Sequence, residues 1–376
     1  MKNILRLSHV PKNLKLIQFK NFQNLDLVFD QGVNCFFGEN GAGKTNLLDA
    51  IHYLCLTKSA FIPGDSNHIM HEKDFFTIKG EFDLLDKELG VNCFFESGKK
   101  KRLEVSGKPY TKLSDHIGLL PLVIIAPDDT EIINGGSEER RKFFDSMICQ
   151  ADQNYLQKLI RYQKYLKQRN ALLKRFAEEK RLDRLQLAPY DEELIQLSNE
   201  INQIRHQFLN DFLIHFKKHY EAISGAKEEV GIHYKSQVDK EHFNLDFVNN
   251  VKRDVLLKRT GFGIHKDDFI FTFDDQEIKK FGSQGQKKSF LISLKLAQFY
   301  IFKEIKGTKP LLLLDDIFDK LDDHRIHHLM TAVANKEFGQ LFISDARPER
   351  SREILSQITS DYSSFTISNN TVSEIE

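Results

Sequence analysis

The chain has 376 residues, 40% of them hydrophobic, and its 54 Lys and Arg are balanced by 54 Asp and Glu. This length and composition describe a folded chain with a large core and two or three domains, and they exclude a disordered polymer. With no net charge, a case for nucleic acid has to rest on local patches.

In chain order, three apolar segments come first: Leu14 to Phe19, Leu25 to Phe29 and Val33 to Phe37, separated by polar turns at Asn21–Asn24 and Asp30–Gly32. They read as strands. The last runs into Gly38-Glu39-Asn40-Gly41-Ala42-Gly43-Lys44-Thr45, followed by Asn46 and a helix to Leu54. This fits G-x-x-x-x-G-K-[ST], in which glycines let backbone N–H groups curl around phosphate oxygens at a helix N-terminus. The motif predicts that Lys44 reaches the β and γ phosphates of a nucleoside triphosphate and that Thr45 places its hydroxyl on Mg²⁺. An ordinary glycine turn is the competing reading, and the strand before and helix after it count against it.

Phe75 to Leu85, Val91 to Glu96 and Arg102 to Val105 alternate like an antiparallel meander, turning at Ser97–Lys100. The run Leu120 to Ala126 reads as a buried strand ended by Pro127-Asp128-Asp129. From residue 130 to about 260 helical patterns replace strands. Leu194, Leu197, Ile201, Ile204, Phe208, Phe212 and Phe216 form one seam, and Leu156 to Phe176 is the expected partner helix. The turn between them is expected around Leu185–Tyr190, near Pro189. Either the pair projects as a short antiparallel arm or it packs as a bundle. At 1.5 Å per residue and roughly 30 residues per helix it spans about 45 Å. The expected division is residues 1–129 and 261–376 for a nucleotide domain built from two halves, with 130–260 inserted between them.

In the second half, Leu311 to Leu314 reads as a buried parallel strand ending in Asp315 and Asp316. Next to a phosphate loop, the first carboxylate is expected to hold the Mg²⁺ hydration shell and the second to orient water. Alone, the pair could equally cap a following helix. Ser283-Gln284-Gly285-Gln286 opens another helix; a hydroxyl, bare N–H groups and a helix N-terminus make an anion site, with a plain capping serine as the alternative.

The Ser283 to Gln286 stretch resembles the signature motif of the ABC ATPase superfamily, and Lys320-Leu321-Asp322 resembles its D-loop. That resemblance implies an α/β fold: an ABC-type P-loop ATPase head, a mixed sheet with a β-rich subdomain, carrying an inserted helical arm. It also implies an ATP-dependent homodimer in which the Lys44 loop of one subunit and the Ser283 loop of the other share each ATP. Four stretches resemble, more specifically, the RecF family of bacterial DNA replication and repair proteins, relatives of the Rad50 and SMC heads. They are Asn21 to Leu54, Pro127 to Asp145, Gly263 to Asp268, and Ser283 to Gln286 with Leu311 to Asp322.

The RecF resemblance implies slow, DNA-stimulated ATP hydrolysis, duplex DNA bound beside single-stranded gaps, and RecO, RecR and RecA as partners. The chain departs from the pattern at several positions. Asp316 stands where Glu is usual, Ile264 and Lys266 where Pro or Arg are common, and Ser344-Asp345 where a switch histidine is expected; Asp128 and Asp129 are the candidates for a missing Q-loop glutamine. Residues 155–185 hold ten Lys or Arg against three acids, either a phosphate-binding stripe or a solvated face. Candidate phosphate contacts are Lys158, Arg161, Lys164, Lys99, Lys100, Lys101, Arg102, Arg140 and Arg141, none suited to base readout. Competing classes are a transporter subunit, an SMC-like tether, for which the arm is too short, and a defence or signalling ATPase acting with a protein partner. No run approaches the roughly 20 apolar residues of a membrane span, and the start lacks a signal-peptide core. A cytoplasmic chain with no membrane partner is expected, its cysteines Cys35, Cys55, Cys93 and Cys149 reduced and far apart.

Overall fold

The computed structural model describes residues 10–84, 87–225, 228–317, 325–326, 331, 337–356, 362–368 and 370–375. The chain divides into two compact units, one of Met1–Asp129, Ala222–Gly225 and Lys288–Glu376, the other of Thr130–Glu221 and Ala226–Lys287. The second division therefore falls at 287/288 rather than near 260, so the Gly263 and Ser283 stretches belong to the inserted unit.

The first unit opens with a hairpin of β1 (Val10–Phe19) and β2 (Phe22–Val28), then β3 (Val33–Phe37) and helix α1 (Lys44–Leu56). The hairpin turns at Lys20-Asn21, earlier than its polar residues suggest, because Phe19 pairs with Phe22 and both are fully buried. Strands β4 (Phe75–Leu84), β5 (Lys87–Glu96), β6 (Arg102–Val105) and β7 (Lys108–Pro109) extend the hairpin into an antiparallel sheet of order β2-β1-β4-β5-β6-β7. Strand β8 (Leu122–Ile125) joins another sheet. Helix α1 meets strands of both sheets, which is why nearly all of its residues are buried. Such a helix is apolar all round rather than along one stripe. Gly80 on β4 permits the approach, since a Cβ there would lie 2.7 Å from Leu54 Cδ1.

In the second unit, α2 (Glu131–Asn134) and α3 (Ser137–Ala151) lead to two long helices, α4 (Gln153–Glu179) and α5 (Arg184–Ser224). The expected seam is buried along α5, through Leu194, Leu197, Ile201, Phe208, Phe212 and Phe216. The turn lies at Lys180–Asp183, not at Leu185–Tyr190. Lys180 closes α4 in the left-handed conformation, and the Asp183 carboxylate accepts from the Leu185 and Gln186 amides, so α5 takes Pro189 into its second turn. A small sheet follows, in which β9 (Val230–Lys235) and β11 (Gln276–Glu277) flank β10 (Asp268–Phe273). With α6 (Phe243–Asn249), α7 (Val251–Leu257) and α8 (Ile278–Phe281), it makes this unit a mixed lobe rather than a bare helical arm.

Arg205 on α5 lies at the centre of that lobe, only 1% exposed. Its guanidinium donates to both oxygens of Asp145 on α3 at 2.9 and 3.0 Å, to Asp267 at 3.0 Å and to the Ile264 carbonyl at 3.1 Å. Asp267 in turn accepts from Tyr234 and, at 2.8 Å, from Ser236. A second buried guanidinium, Arg169, joins Asp191 and Asp254.

Helix α9 (Gln284–Lys306) begins in the second unit and continues in the first. Strands β12 (Leu311–Asp315) and β13 (Leu341–Asp345), helix α10 (Pro348–Ser356), and β14 (Tyr362–Ser368) with β15 (Thr371–Ile375) complete the first unit. The second sheet has the order β15-β14-β3-β13-β12-β8, parallel except for the β14–β15 pair. Its central strands β3, β12 and β13 are buried at all five positions each, as parallel strands covered on both faces require. Phe29, Phe36, Phe342 and Phe365 pack there edge to face and stacked. All four cysteines are buried free thiols.

Arg205→Ala would leave the buried Asp267 and the half-buried Asp145 without their cation, so unfolding of this lobe in denaturant should become easier by roughly 3–5 kcal/mol; a loss under about 1 kcal/mol would deny Arg205 its central place.

Candidate nucleotide site and signature loop

The parallel strands β3, β12 and β13 end side by side, and the loops leaving them hold the chemistry, as is general for open parallel sheets. After β3 the chain turns through Gly41 and Gly43 at φ 84° and 112°. Gly43 is required twice over: its φ is left-handed, and a Cβ would lie 2.5 Å from Asn21 Nδ2. Asn21, in the β1–β2 turn, donates to the Ala42 carbonyl at 3.3 Å and to Asn370 at 2.8 Å, and accepts from Asn46 at 2.7 Å. The loop is thus braced from outside, a role that its resemblance to a motif did not reveal.

Lys44 is 4% exposed. Its Nζ folds back onto the carbonyls of Gly38 at 2.9 Å and Glu39 at 3.2 Å, and lies 3.9 Å from Asp316. Thr45 Oγ1 meets both carboxylate oxygens of Asp315, at 2.9 and 3.0 Å. Residues 270 positions apart in sequence come together at this point. Ser344, at the end of β13, donates from its hydroxyl to Asp315 at 2.6 Å, and the Asp316 amide donates back to Ser344 Oγ at 3.0 Å and to its carbonyl at 3.1 Å. Asp316 is left-handed, at φ 45°.

Ser344 therefore touches both acids of the pair. The expected switch position, Ser344-Asp345, splits into this contact and a local one, since Asp345 accepts from the Arg347 amide at 2.9 Å and from the Ser351 hydroxyl. Of the two candidates for the Q-loop place, Asp129 is taken up by the Ala126 amide at 2.6 Å and Lys295 at 2.6 Å. Asp128 is exposed, and its charge acts on Asp315.

Burial pushes the Asp315 carboxyl above its ordinary value, with the Ser344 and Thr45 hydroxyls and Lys44 opposing the shift. A buried carboxylate with unspent charge, a facing hydroxyl and a helix N-terminus form a donor set that fits a hydrated divalent cation and an anionic phosphate chain.

In the second unit, Ser283 opens α9 with reciprocal bonds: its amide donates to Gln286 Oε1 at 2.7 Å, and the Gln286 amide donates to Ser283 Oγ at 3.2 Å. The capping alternative for Ser283 is thus realised as a capping box. Ser283 and Gln284 are exposed, with Gly285 half-buried. Gln286 Nε2 also donates to Glu228 at 3.2 Å, and Glu228 accepts from Tyr220 at 2.7 Å. Lys320, Leu321 and Asp322, the expected D-loop, lie outside the described residues.

Residues 13–211 match the profile of the AAA domain family. The DNA replication and repair protein RecF of Flavobacterium johnsoniae is 46% identical over 96% of this chain and 100% of its own length. The chain belongs to the RecF family. RecF of Cytophaga hutchinsonii is 44% identical over 95% of this chain and 94% of its own. A solved structure of the recombination mediator protein RecF with ATP, from the RecFOR pathway, superposes with TM-score 0.89 at 28% identity, covering 100% of both chains. An Smc head domain from Pyrococcus furiosus, at TM-score 0.57 and 15% identity over 98% of this chain and 96% of its own, shares the fold. The ABC-type head expected from the motifs is the fold of this RecF-family chain.

The basic candidates divide by their partners. Lys101 is 10% exposed and donates to Asp65, Tyr53 and the Thr57 carbonyl at 2.8, 3.0 and 2.6 Å, so it is an internal ion pair rather than a phosphate contact. Arg140 is likewise spent on both oxygens of Asp268 at 2.7 and 2.9 Å. Arg169, counted in the stripe, is fully buried. Lys158 pairs with Glu200, Arg161 with Glu193 and Lys99 with Glu96. Lys100, Arg102 and Lys164 are exposed.

Because the folded state holds the Asp315 proton more tightly than the unfolded chain, it loses stability as pH rises from the ordinary carboxylate value through the raised one. Asp315→Asn escapes that loss. Its melting temperature relative to the parent, without nucleotide, should therefore climb as pH is raised from about 4 to about 7; a flat difference would mean that Asp315 is not held against its charge.

Proposed function

We propose that the chain is an ATP-dependent DNA-binding protein of recombinational repair and replication, an ATPase whose two copies close head to head on nucleotide. The observation that carries the reading is the Thr45–Asp315 contact at 2.9 and 3.0 Å, with Lys44 beside it at the start of α1. Bound Mg²⁺ and ATP supply the charged phosphate chain that these groups are built to meet. Thr45 and Asp315 would hold the metal's shell. Lys44 would exchange the carbonyls of Gly38 and Glu39 for phosphate oxygens, and the amides from Gly38 to Asn46 would line the remainder. Asp316 would orient water for hydrolysis. It is one methylene shorter than the usual Glu, which supports slow turnover.

Ser283, Gln284, Gly285 and Gln286 would serve the partner copy's nucleotide, and Leu321 and Asp322 the facing D-loop. The exposed start of α9 supports a role across a dimer. Duplex DNA beside single-stranded gaps is the proposed nucleic acid, bound without sequence preference and stimulating hydrolysis. RecO, RecR and RecA are the proposed protein partners, in the cytoplasm. Among the described residues no helix is long and apolar enough to cross a membrane. Of the phosphate candidates, Lys99, Lys100, Arg102, Arg161 and Lys164 are exposed, Lys99 and Arg161 each with an acid beside it.

Lys44→Ala should abolish binding of a fluorescent ATP analogue. Ser283→Arg should leave that binding intact in the monomer while preventing ATP-driven dimerisation in sedimentation; a normal ATP-dependent dimer would sink the shared-site reading. Asp316→Asn should keep the dimer on a gapped duplex after ATP is added, seen as slower dissociation, and parent-like release would remove Asp316 from the hydrolytic step.

A further inference from the structure

The Gly263–Asp268 loop of the second unit has an inner side whose charges are matched and an outer side whose charges are not. On the inner side Asp267 is taken by Arg205, Tyr234 and Ser236, and Asp268 by Arg140. His265 meets the Tyr162 hydroxyl at 2.6 Å through Nδ1 and the Thr260 carbonyl at 3.0 Å through Nε2. Gly263 sits at φ 120°, where a Cβ would be 2.5 Å from Tyr162 Oη, so the loop has one shape and little room to change it.

These contacts gather three cations on the outer side. Arg141 Nη1 donates to the Asp267 carbonyl at 2.5 Å, next to Lys266. The His265–Thr260 contact sets Arg259, the neighbour of Thr260, beside the same turn. Among the described residues, no carboxylate lies within 4.0 Å of Arg141, Arg259 or Lys266, although ion pairs surround them in the sequence. The other nearby acids are held elsewhere: Asp145 accepts from Arg205, and Asp254 from Arg169, Asn250 and the Gly261 amide. Burial pushes Lys266 below its ordinary range, and the charges of Arg259 and Arg141 push it further. Burial likewise lowers Arg141, with Arg205 adding to the shift and the more distant Asp145, Asp267 and Asp268 opposing it, while His265 is pushed down to about 4 and contributes no charge at neutral pH. Like charges crowd here with no carboxylate in direct contact among the described residues, a repulsion that an arriving polyanion would relieve.

We propose that Arg141, Arg259 and Lys266 form a backbone-phosphate site for duplex DNA, an inference that rests on the DNA-binding reading above and gives it a location. Two guanidinium groups and one ammonium suit phosphate oxygens, which a duplex offers at regular spacing whatever its sequence. The loop's rigidity keeps the cations in place before DNA arrives, so little ordering is needed on binding.

The test uses Arg259→Ala/Lys266→Ala, sparing Arg141 because of its contact with the Asp267 carbonyl. Binding of a labelled 30-bp duplex to the full chain is measured by anisotropy from low to moderate salt, with ATP. The double variant should bind at least tenfold more weakly, and its slope of log affinity against log salt should be shallower by about 2, roughly 0.9 per lost phosphate contact. Lys266→Arg should retain parent affinity, and binding of a fluorescent ATP analogue should be unchanged throughout. Parent-like affinity and slope in the double variant would overturn the site while leaving the DNA-binding reading intact. A parent that ignores duplex DNA would overturn both. Unchanged DNA binding with lost binding of polyglutamate would assign the cluster to an acidic protein partner instead, and so also overturn it.

Discussion

The Asp315 carboxylate, gripped by the hydroxyls of Thr45 and Ser344, is the contact on which the first unit turns. It joins the ends of two neighbouring strands, β12 and β13, to the first turn of the helix that leaves β3. Each hydroxyl spends a donor on a charge that burial disfavours. The protein therefore keeps a carboxylate ionisable where an apolar side chain would pack more easily. The charge of Lys44 reaches this carboxylate and favours its ionised form.

The second unit repeats the logic with the sign reversed. Arg205 is buried among Asp145, Asp267, Tyr234 and the Ile264 carbonyl, and it ties α3 and the Gly263–Asp268 loop to α5. Two of the stretches that carry the RecF resemblance, Pro127 to Asp145 and Gly263 to Asp268, thus meet through one guanidinium and belong to the wiring of a polar core. Buried pairs of this kind are costly to break, yet they do not guarantee stability beyond what an apolar core would supply; their directional bonds also set the shape of the loop.

The parts of this architecture that could be read from the sequence were those with local signals. The phosphate loop, the meander and the buried strands announce themselves through glycine spacing, alternation and apolar runs. The α4–α5 turn did not, because Pro189 is a louder signal than Lys180 and Asp183, although the left-handed closure and the carboxylate cap decide where the helices end. Strand β9 was lost among helical patterns, its partner β10 being distant in sequence. Basic residues were hardest of all. Lys101, Arg140 and Arg169 look like surface charge until their acids are found 36, 128, and 22 and 85 residues away. Lys266 and Arg259, which lie outside the basic stripe of residues 155–185, have no carboxylate within 4.0 Å among the described residues.

The four cysteines have a consequence of another kind. Burial drives the Cys93 thiol up to about 12 and raises Cys35 and Cys55 as well. Thiolate is the form that electrophiles and oxidants attack, so at these three positions the native chain presents them with almost none. The fold thus shields the thiols of Cys35, Cys55 and Cys93 from oxidants. Its cysteines become reactive only as the core opens, which makes their alkylation rate a clock for breathing of the sheet and helix around them.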